Sequence, residues 1–240
     1  MGSQHIHGIV LRGIGLIRRL REKLFGIRPS PFKVALIEKV LSEENITSFA
    51  DLGGVWGVDG AYSFHLLAGP GMSRGYLVDN HFTDEVLRKG SSYPQLHLVE
   101  GDFRIESTVA RIGHVDLILL FDVLLHQVNW QDILEWCSRR AKVIVIHNPQ
   151  WPGEETLRLL DLGEQEYFRV VPHPKEGRYY EDLFTPREQR DTPGVWQWGI
   201  CDRDLVGVLE KLDFQLTYSN DGEHWGDTGF QNKGFIFQRK

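Results

Sequence analysis

Short apolar runs separated by glycine-rich or acidic turns recur through the middle of the chain. In the stretch 48–60 an apolar run leads into a cluster of glycines, and an apolar segment with helical periodicity, 62–67, follows. This order predicts a strand, a tight turn and a helix. Four later runs predict further strands, at 75–79, 96–100, 115–120 and 142–147. Because the run 115–120 is apolar almost throughout, it is typical of a central strand in a parallel sheet.

Helical patterns flank and separate these runs. The N-terminal region carries apolar residues at helical spacing with arginines between them, namely Val10, Ile14, Ile17, Leu20 and Leu24. A second helix is expected from Pro31 to Leu41 with Ser30 as its N-cap, and later helices at 131–139 and 205–212. The basic N-terminal helix has three interpretations: a membrane or partner surface, a cover for the core, or a homodimer contact. We assign residues 1–45 to an N-terminal helical segment.

The regular pattern is lost between residues 152 and 198, where prolines, charged residues and aromatics dominate. The aromatics are Tyr167, Phe168, Tyr179, Tyr180, Phe184, Trp196 and Trp198. A segment of this length without periodicity inside a compact domain predicts either a lid over a substrate or an oligomer contact. Two apolar runs, 214–218 and 234–237, then predict two terminal strands.

The composition is that of an ordinary water-soluble globular protein. The 240 residues are 41% hydrophobic and 25% charged, which suits one α/β domain with an added segment. No apolar run is long enough for a membrane span, and Arg12 interrupts the one stretch that resembles a signal-peptide core. The two cysteines, Cys137 and Cys201, form no framework and no metal-binding pair. We therefore expect a cytoplasmic protein with free core thiols.

The charge is distributed unevenly along the chain. Residues 1–30 contain six basic side chains and one acidic side chain, so a net charge of −6 for the whole chain leaves −11 on the remainder. An acidic body repels a phosphate backbone. The charge thus excludes nucleic acid as the expected partner and favours a small or neutral substrate.

The glycine cluster identifies a candidate ligand site. A turn without Cβ atoms lets a ligand approach the backbone, and the helix after it presents free N–H groups. The glycine spacing of a dinucleotide fingerprint is missing whether counted from Gly53 or Gly54, and no Gly-Lys-Ser/Thr closes a phosphate-binding loop. The spacing that is present joins an acid to two glycines: Asp51, Gly53 and Gly57.

This spacing resembles the first motif of the class I S-adenosylmethionine (SAM) dependent methyltransferases. Val55 stands where that motif usually has its central glycine, and Gly54 is an additional glycine. The resemblance implies an α/β fold with a doubly wound, mostly parallel seven-stranded sheet, helices on both faces and a terminal antiparallel hairpin. It covers residues 46–240 as a SAM-binding domain, with 152–198 as a lid or substrate insertion.

The resemblance also implies that SAM is held at successive strand ends. Asp79 ends the second predicted strand, where a carboxylate accepts hydrogen bonds from ribose hydroxyls. In the family, an acid at the position of Asp102 holds the adenine amino group, and the next residue packs on the adenine ring. The implied cofactor-binding residues are Asp51, Gly53, Gly54, Gly57, Asp79, Asn80, Asp102, Phe103 and Asp122.

Two motifs follow the last predicted parallel strands. The segment 121–127 resembles the part of small-molecule methyltransferases in which the chain passes beneath the methyl group. Within it, His126 is the candidate general base, because imidazole accepts a proton near neutral pH, and a core or helix-capping histidine is the alternative. The tetrapeptide Asn148–Trp151 is similar to the Asn-Pro-Pro-Tyr signature of nucleic-acid amino methyltransferases. It lacks the second proline and follows the fifth strand, so we interpret it as a loop.

The expected function is methyl transfer from SAM to an oxygen or nitrogen of a small-molecule acceptor. Trp151, Trp196 and Trp198 are the candidate substrate-binding residues, and no metal site is assigned. A non-catalytic SAM- or nucleotide-binding protein with the same fold is the alternative, favoured by Val55 in the glycine motif. A nicotinamide-dependent oxidoreductase comes third, because the glycine spacing disfavours it.

Overall fold

A seven-stranded sheet forms the centre of the protein in the computed structural model, which describes residues 29–127, 129–158, 198–224 and 230–240. Its strands are β1 (Ser48–Leu52), β2 (Arg74–Asp79), β3 (Leu96–Glu100), β4 (Leu117–Phe121), β5 (Val143–Gln150), β8 (Phe214–His224) and β9 (Gln231–Arg239). Their order is β3-β2-β1-β4-β5-β9-β8. The first five are parallel, and β9 runs antiparallel to both β5 and β8. The predicted doubly wound sheet with a terminal hairpin is confirmed.

Helices cover both faces of this sheet. They are α1 (Pro31–Glu43), α2 (Ala61–Ala68), α3 (Asp84–Gly90), α4 (Glu106–Val109), α5 (Trp130–Ser138) and α6 (Asp202–Lys211), with a 3₁₀ helix at Leu124–His126. The side chains of β4 enter the core on both faces of the sheet, because successive side chains of a strand point to opposite faces. Leu117 and Leu119 pack with α1 and α2, whereas Ile118 and Leu120 pack with α5 and α6.

The structure corrects the interpretation of Asn148–Trp151 as a loop. Asn148, Pro149 and Gln150 continue β5 and pair with residues 231–233 of β9. Pairing of β5 with β4 ends at His147, opposite Phe121. Beyond that point β4 no longer pairs with β5, so a proline without an N–H costs no ladder hydrogen bond to β4. The sixth helix also begins earlier than predicted, at Asp202 with Cys201 as its N-cap residue.

Helix α1 is fixed to the sheet by close contact with the hairpin. Leu36, Ile37 and Val40 are at most 1% exposed. A Cβ on Gly234 of β9 would lie 2.6 Å from Cδ1 of Leu36, so the absence of a side chain there lets the helix approach the strand. Helix α1 therefore belongs to the same core as the sheet.

Several predictions fall wholly or partly outside the described residues. The N-terminal helix with its homodimer contact lies in residues 1–28, and most of the 152–198 insertion, including Trp196, lies in residues 159–197. The edges of the insertion form a short antiparallel pair, β6 (Leu157–Arg158) with β7 (Trp198–Gly199). Cys137 and Cys201 are free and buried, as expected. In the part of the chain described, no helix is long and apolar enough to cross a membrane.

Candidate active site

The turn after β1 depends on two glycines with left-handed backbones. Gly53 and Gly57 have φ angles of 76° and 73°, a region that other residues rarely enter. A Cβ on Gly53 would lie 2.5 Å from Cγ1 of Val123 and 3.8 Å from Cε1 of Phe103. By contrast, a Cβ on Gly57 would meet no atom within 4 Å. The turn therefore packs against the chain beyond β3 and β4 at one end and borders open space at the other.

Val55 does not fill the concave side of this turn. Its side chain is 4% exposed and packs into a small apolar cluster with Leu77, Phe82 and Val86. The departure from the family motif at this position is therefore accommodated by the core. Trp56, the next residue, is 65% exposed at the tip of the turn.

Asp51 lies beneath the turn and connects it to α2. It is 1% exposed, it accepts a 2.8 Å hydrogen bond from Ser63 Oγ, and a Cβ on Gly54 would collide with its carboxylate. Burial raises the pKa of Asp51 to about 7, although the Ser63 hydrogen bond opposes the rise. Asp51 thus shapes the glycine turn from below, and Gly54 is required for its fit.

Asp79 joins the end of β2 to the glycine turn. Its Oδ2 accepts a 2.9 Å hydrogen bond from the backbone N–H of Val55, and its Oδ1 accepts one of 2.8 Å from that of Asn80. A carboxylate has about four acceptor positions, so two remain for the hydroxyl groups of a ligand. Asn80 itself is exposed beside it.

The chain beyond β3 contributes an acid and an aromatic ring to the same edge. Asp102 accepts a 2.6 Å hydrogen bond from Nε of Arg104 and one of 2.9 Å from its backbone N–H. Phe103 is half-buried against the core and faces Gly53 across the turn. The sequence-predicted residues after β1, β2 and β3 are therefore grouped at the carboxyl edge of the sheet, where open α/β sheets bind ligands.

An ionic cluster of one half-exposed and two buried side chains lies at the ends of β4 and β5. Asp122, directly after β4, accepts a 2.6 Å hydrogen bond from Nζ of Lys33 in α1. Its second oxygen lies 3.0 Å from Nδ1 of His147 in β5. Lys33 is 8% exposed and His147 is 6% exposed. The Lys33 ammonium also lies 5.6 Å from the ring centroids of Tyr62 and Phe121.

Asp122 is held ionised by its two partners. Desolvation raises its pKa, but the His147 hydrogen bond and the Lys33 charge outweigh that effect and lower the pKa to about 2. The backbone of Asp122 has a φ of 57°, which is uncommon outside glycine. Its side chain remains 43% exposed, although the flanking Phe121 and Val123 are buried. The carboxylate thus combines fixed partners with access to the edge of the sheet.

His126 and the candidate substrate residues lie farther along the same edge. His126 ends the 3₁₀ helix and is half-buried, and this helix contacts β5 and β7. Trp198 lies in β7. Trp151, just after β5, packs its ring 5.2 Å from that of Phe230 and donates its backbone N–H to Ile200. The structure therefore brings Trp198 near the segment that carries His126, while Trp196 lies outside the described residues.

Sequence reasoning missed Lys33, Tyr62, Ser63 and His147. Only His147 gave a local signal, because it ends the predicted fifth strand at the edge where ligands bind. Within the described ranges no group of three or more His, Cys, Asp or Glu side chains could hold a metal ion.

No protein-family model matches the chain, and no curated protein sequence matches it. Solved structures, however, match the chain. The N-terminal domain of EvdMO1, crystallised in the presence of S-adenosylhomocysteine (SAH) and D-fucose, is 14% identical with a TM-score of 0.57, covering 86% of this chain and 82% of that one. The Burkholderia thailandensis 1,6-didemethyltoxoflavin-N1-methyltransferase, with that compound and SAH bound, is 13% identical with a TM-score of 0.57, covering 100% and 92%.

A third solved structure is similar over a comparable length. The N-methyltransferase NodS from Bradyrhizobium japonicum, in complex with SAH, is 11% identical with a TM-score of 0.55, covering 90% of this chain and 91% of that one. These likenesses, together with the strand order, show that the chain has the fold of class I SAM-dependent methyltransferases.

Proposed function

We propose that this protein transfers a methyl group from SAM to an oxygen or nitrogen of a small-molecule acceptor. The observation that carries the proposal is the grouping of the glycine turn with Asp79, Phe103 and Asp122 at the carboxyl edge of the sheet. Fold alone leaves function open, so these residues must also fit the cofactor.

The residues at the carboxyl edge of the sheet suit SAM. The space beside Gly57 is open, Val55 is turned into the core, and Asp79 keeps free acceptor positions for ribose hydroxyls. Half-buried Phe103 is the proposed ring for a base to stack on, and Asp102, which is ion-paired with Arg104, is the proposed acceptor for an exocyclic amine. When bound, SAM would supply a methyl group on a positively charged sulfur. The cofactor-binding residues inferred from the sequence are kept in the proposal, with buried Asp51 acting through the glycine turn that it supports.

The protein's part in such a reaction is to align the acceptor, exclude water and accept a proton where the acceptor carries one. The ionised Asp122, half-exposed at the end of β4, places negative charge at the ligand-binding edge. The Lys33 ammonium, 2.6 Å away, offsets that charge.

A small molecule is the acceptor class that the charge supports best. The body beyond residue 30 carries −11, which disfavours a nucleic acid. The solved structures with this fold include proteins named for N-methylation of 1,6-didemethyltoxoflavin and for methylation of magnesium protoporphyrin IX. Trp151, Trp196 and Trp198 are the proposed acceptor contacts, because flat apolar walls suit a compact or aromatic molecule.

The non-catalytic alternative loses the feature that favoured it. It depended on Val55 in place of a glycine, and that side chain packs with Leu77, Phe82 and Val86 instead of facing the ligand side.

Labelled methyl transfer tests the proposal. Purified protein, SAM with a tritiated methyl group and a cell extract separated by size are incubated together, and the label is followed. The expected result is label in the small-molecule fraction, abolished by excess SAH. Label in RNA, DNA or protein, with none in the small-molecule fraction, would contradict the proposed acceptor class. Absence of label in every fraction, with SAH binding intact, would favour a binding protein.

A further inference from the structure

The cluster of Lys33, Asp122 and His147 has the connectivity of a proton-accepting site. Three elements distant in sequence, α1, the end of β4 and β5, bring these side chains together at the edge where ligands bind in this fold. His147 pairs with Phe121, the last residue of β4, and the backbone N–H of Asp122 donates to the carbonyl of His147 at 2.7 Å. The backbone contact and the side-chain contact together fix the imidazole against the carboxylate.

The hydrogen bond determines which nitrogen of His147 carries the proton. Asp122 is ionised at neutral pH and has no proton to donate. Its 3.0 Å contact with Nδ1 therefore requires an N–H on that nitrogen. A neutral imidazole has a single N–H, so Nε2 bears the lone pair. This lone pair on Nε2 can accept a proton.

The charges around His147 balance before any proton arrives. Lys33 offsets Asp122, and Tyr62 of α2 stands beside Lys33, with a pKa raised mainly by burial and also by the charges of Asp122 and Asp51. Asp51 lies under the glycine turn, so the cluster is electrostatically connected to the candidate cofactor site. His126 is the remaining titratable group on the neighbouring 3₁₀ helix.

We propose that His147, rather than His126, is the general base that deprotonates the methyl acceptor, with Asp122 and Lys33 as its positioning residues. This inference rests on the proposed methyltransferase function. The acceptor oxygen or nitrogen forms a bond to the methyl carbon as the carbon–sulfur bond breaks and its electron pair remains on sulfur. The acceptor proton passes to Nε2 of His147, and Asp122 stabilises the imidazolium that results.

Histidine NMR tests the arrangement without any turnover. Protein labelled with ¹⁵N-histidine gives long-range proton–nitrogen spectra that distinguish the two tautomers, and the His147 signals are those lost in His147→Asn. We expect the tautomer with the proton on Nδ1 in the wild type. We expect Asp122→Asn to remove that preference, because the carboxylate acceptor is lost. A wild-type His147 with its proton on Nε2 would overturn the proposal.

The kinetic test compares His147→Asn with His126→Asn, and His97→Asn serves as a matched control because His97 is exposed on the edge strand β3. Transfer of tritiated methyl into the small-molecule fraction of a cell extract is measured from about pH 6 to pH 9. His147→Asn should lower the rate by roughly 10²–10⁴-fold with SAH affinity nearly unchanged, and should abolish the acidic limb of the pH–rate profile.

Different results would overturn the assignment of His147 as the base and the proposed methyltransferase function. A rate within about threefold of wild type in His147→Asn, or a large loss confined to His126→Asn, would overturn the assignment of His147. A wild-type protein that binds no SAH would instead overturn the proposed function, and the base assignment would fall with it.

Discussion

At the residue scale, two glycines of the turn after β1 separate the cost of backbone strain from the cost of close packing. Gly53 and Gly57 share left-handed φ angles, but a Cβ collides with Val123 at the first position and meets nothing at the second. Gly57→Ala should therefore cost only the strain, about 1–2 kcal/mol of unfolding free energy. Gly53→Ala should cost that plus about 1–3 kcal/mol for overpacking. Urea denaturation of both variants checks the difference, and equal losses would contradict the packing described for Val123.

Asp51 gives the protein an unusual pH dependence at the same scale. Burial raises the pKa of its carboxyl to about 7 in the folded state, whereas an aspartate in water has an ordinary pKa of 3.8. The folded state therefore binds more protons between these values, and stability falls as pH rises through that window, by up to about 4 kcal/mol.

Asp51→Asn removes this titration while keeping an oxygen to accept from Ser63. Relative to wild type, the variant should gain unfolding free energy as pH rises from about 4 to about 8. Parallel stability curves for the two proteins would show that Asp51 does not titrate in this window.

At the scale of elements, apolar runs separated by glycine-rich or acidic turns were enough to predict the parallel strands. Apolar runs located β1 to β5 to within a few residues, since β1, β4 and β5 are buried throughout and β2 is buried over its four central residues. The edge strand β3 is partly exposed but keeps apolar residues at alternate positions. The exception was β5, which continues through Pro149 although proline usually ends a strand. The continuation depends on β9, which pairs with Asn148, Pro149 and Gln150 and lies more than 80 residues away in the chain. No local pattern carries that information.

Two glycine substitutions, one at the contact between α1 and β9 and one away from it, test how closely α1 packs on the sheet. A Cβ on Gly234 would collide with Leu36 and with Asn220, so Gly234→Ala should destabilise the protein by about 1–3 kcal/mol. Gly207 lies in α6 with nothing near its absent side chain, so Gly207→Ala should stabilise it by about 0.5–1 kcal/mol. Thermal unfolding checks both signs. A neutral Gly234→Ala would mean that α1 is not seated against the hairpin.

At the scale of the whole molecule, the candidate site is assembled by contacts that sequence reasoning cannot locate. Asp51, Asp79 and Asp102 were identified because each lies at or just beyond the end of a predicted strand, and parallel topology gathers strand ends at one edge. Lys33 and Asp122 are 89 residues apart, and Asp122 and His147 are 25 apart. Their pairing depends on where α1 crosses the sheet, which periodicity does not specify.

Asp79 is expected to contribute to the affinity for the cofactor through this arrangement of strand ends. Asp79→Ala removes the acceptor for the Val55 backbone and the carboxylate proposed for the ribose. SAH affinity should fall by about 1.5–3 kcal/mol, roughly 10–150-fold. Glu100→Ala is the matched control, because Glu100 ends the neighbouring strand opposite Asp79 but is exposed. Equal effects of the two substitutions on affinity would argue against a specific role for Asp79.

Calorimetric titration of the wild-type protein with SAH and, separately, with NAD distinguishes a SAM-binding protein from a dinucleotide-binding one. The glycine spacing disfavours a dinucleotide, and the open side of the turn at Gly57 leaves room for a ligand. We expect SAH binding in the micromolar range, a free energy of roughly −8 kcal/mol, and no measurable heat with NAD. Tight NAD binding with no response to SAH would contradict it.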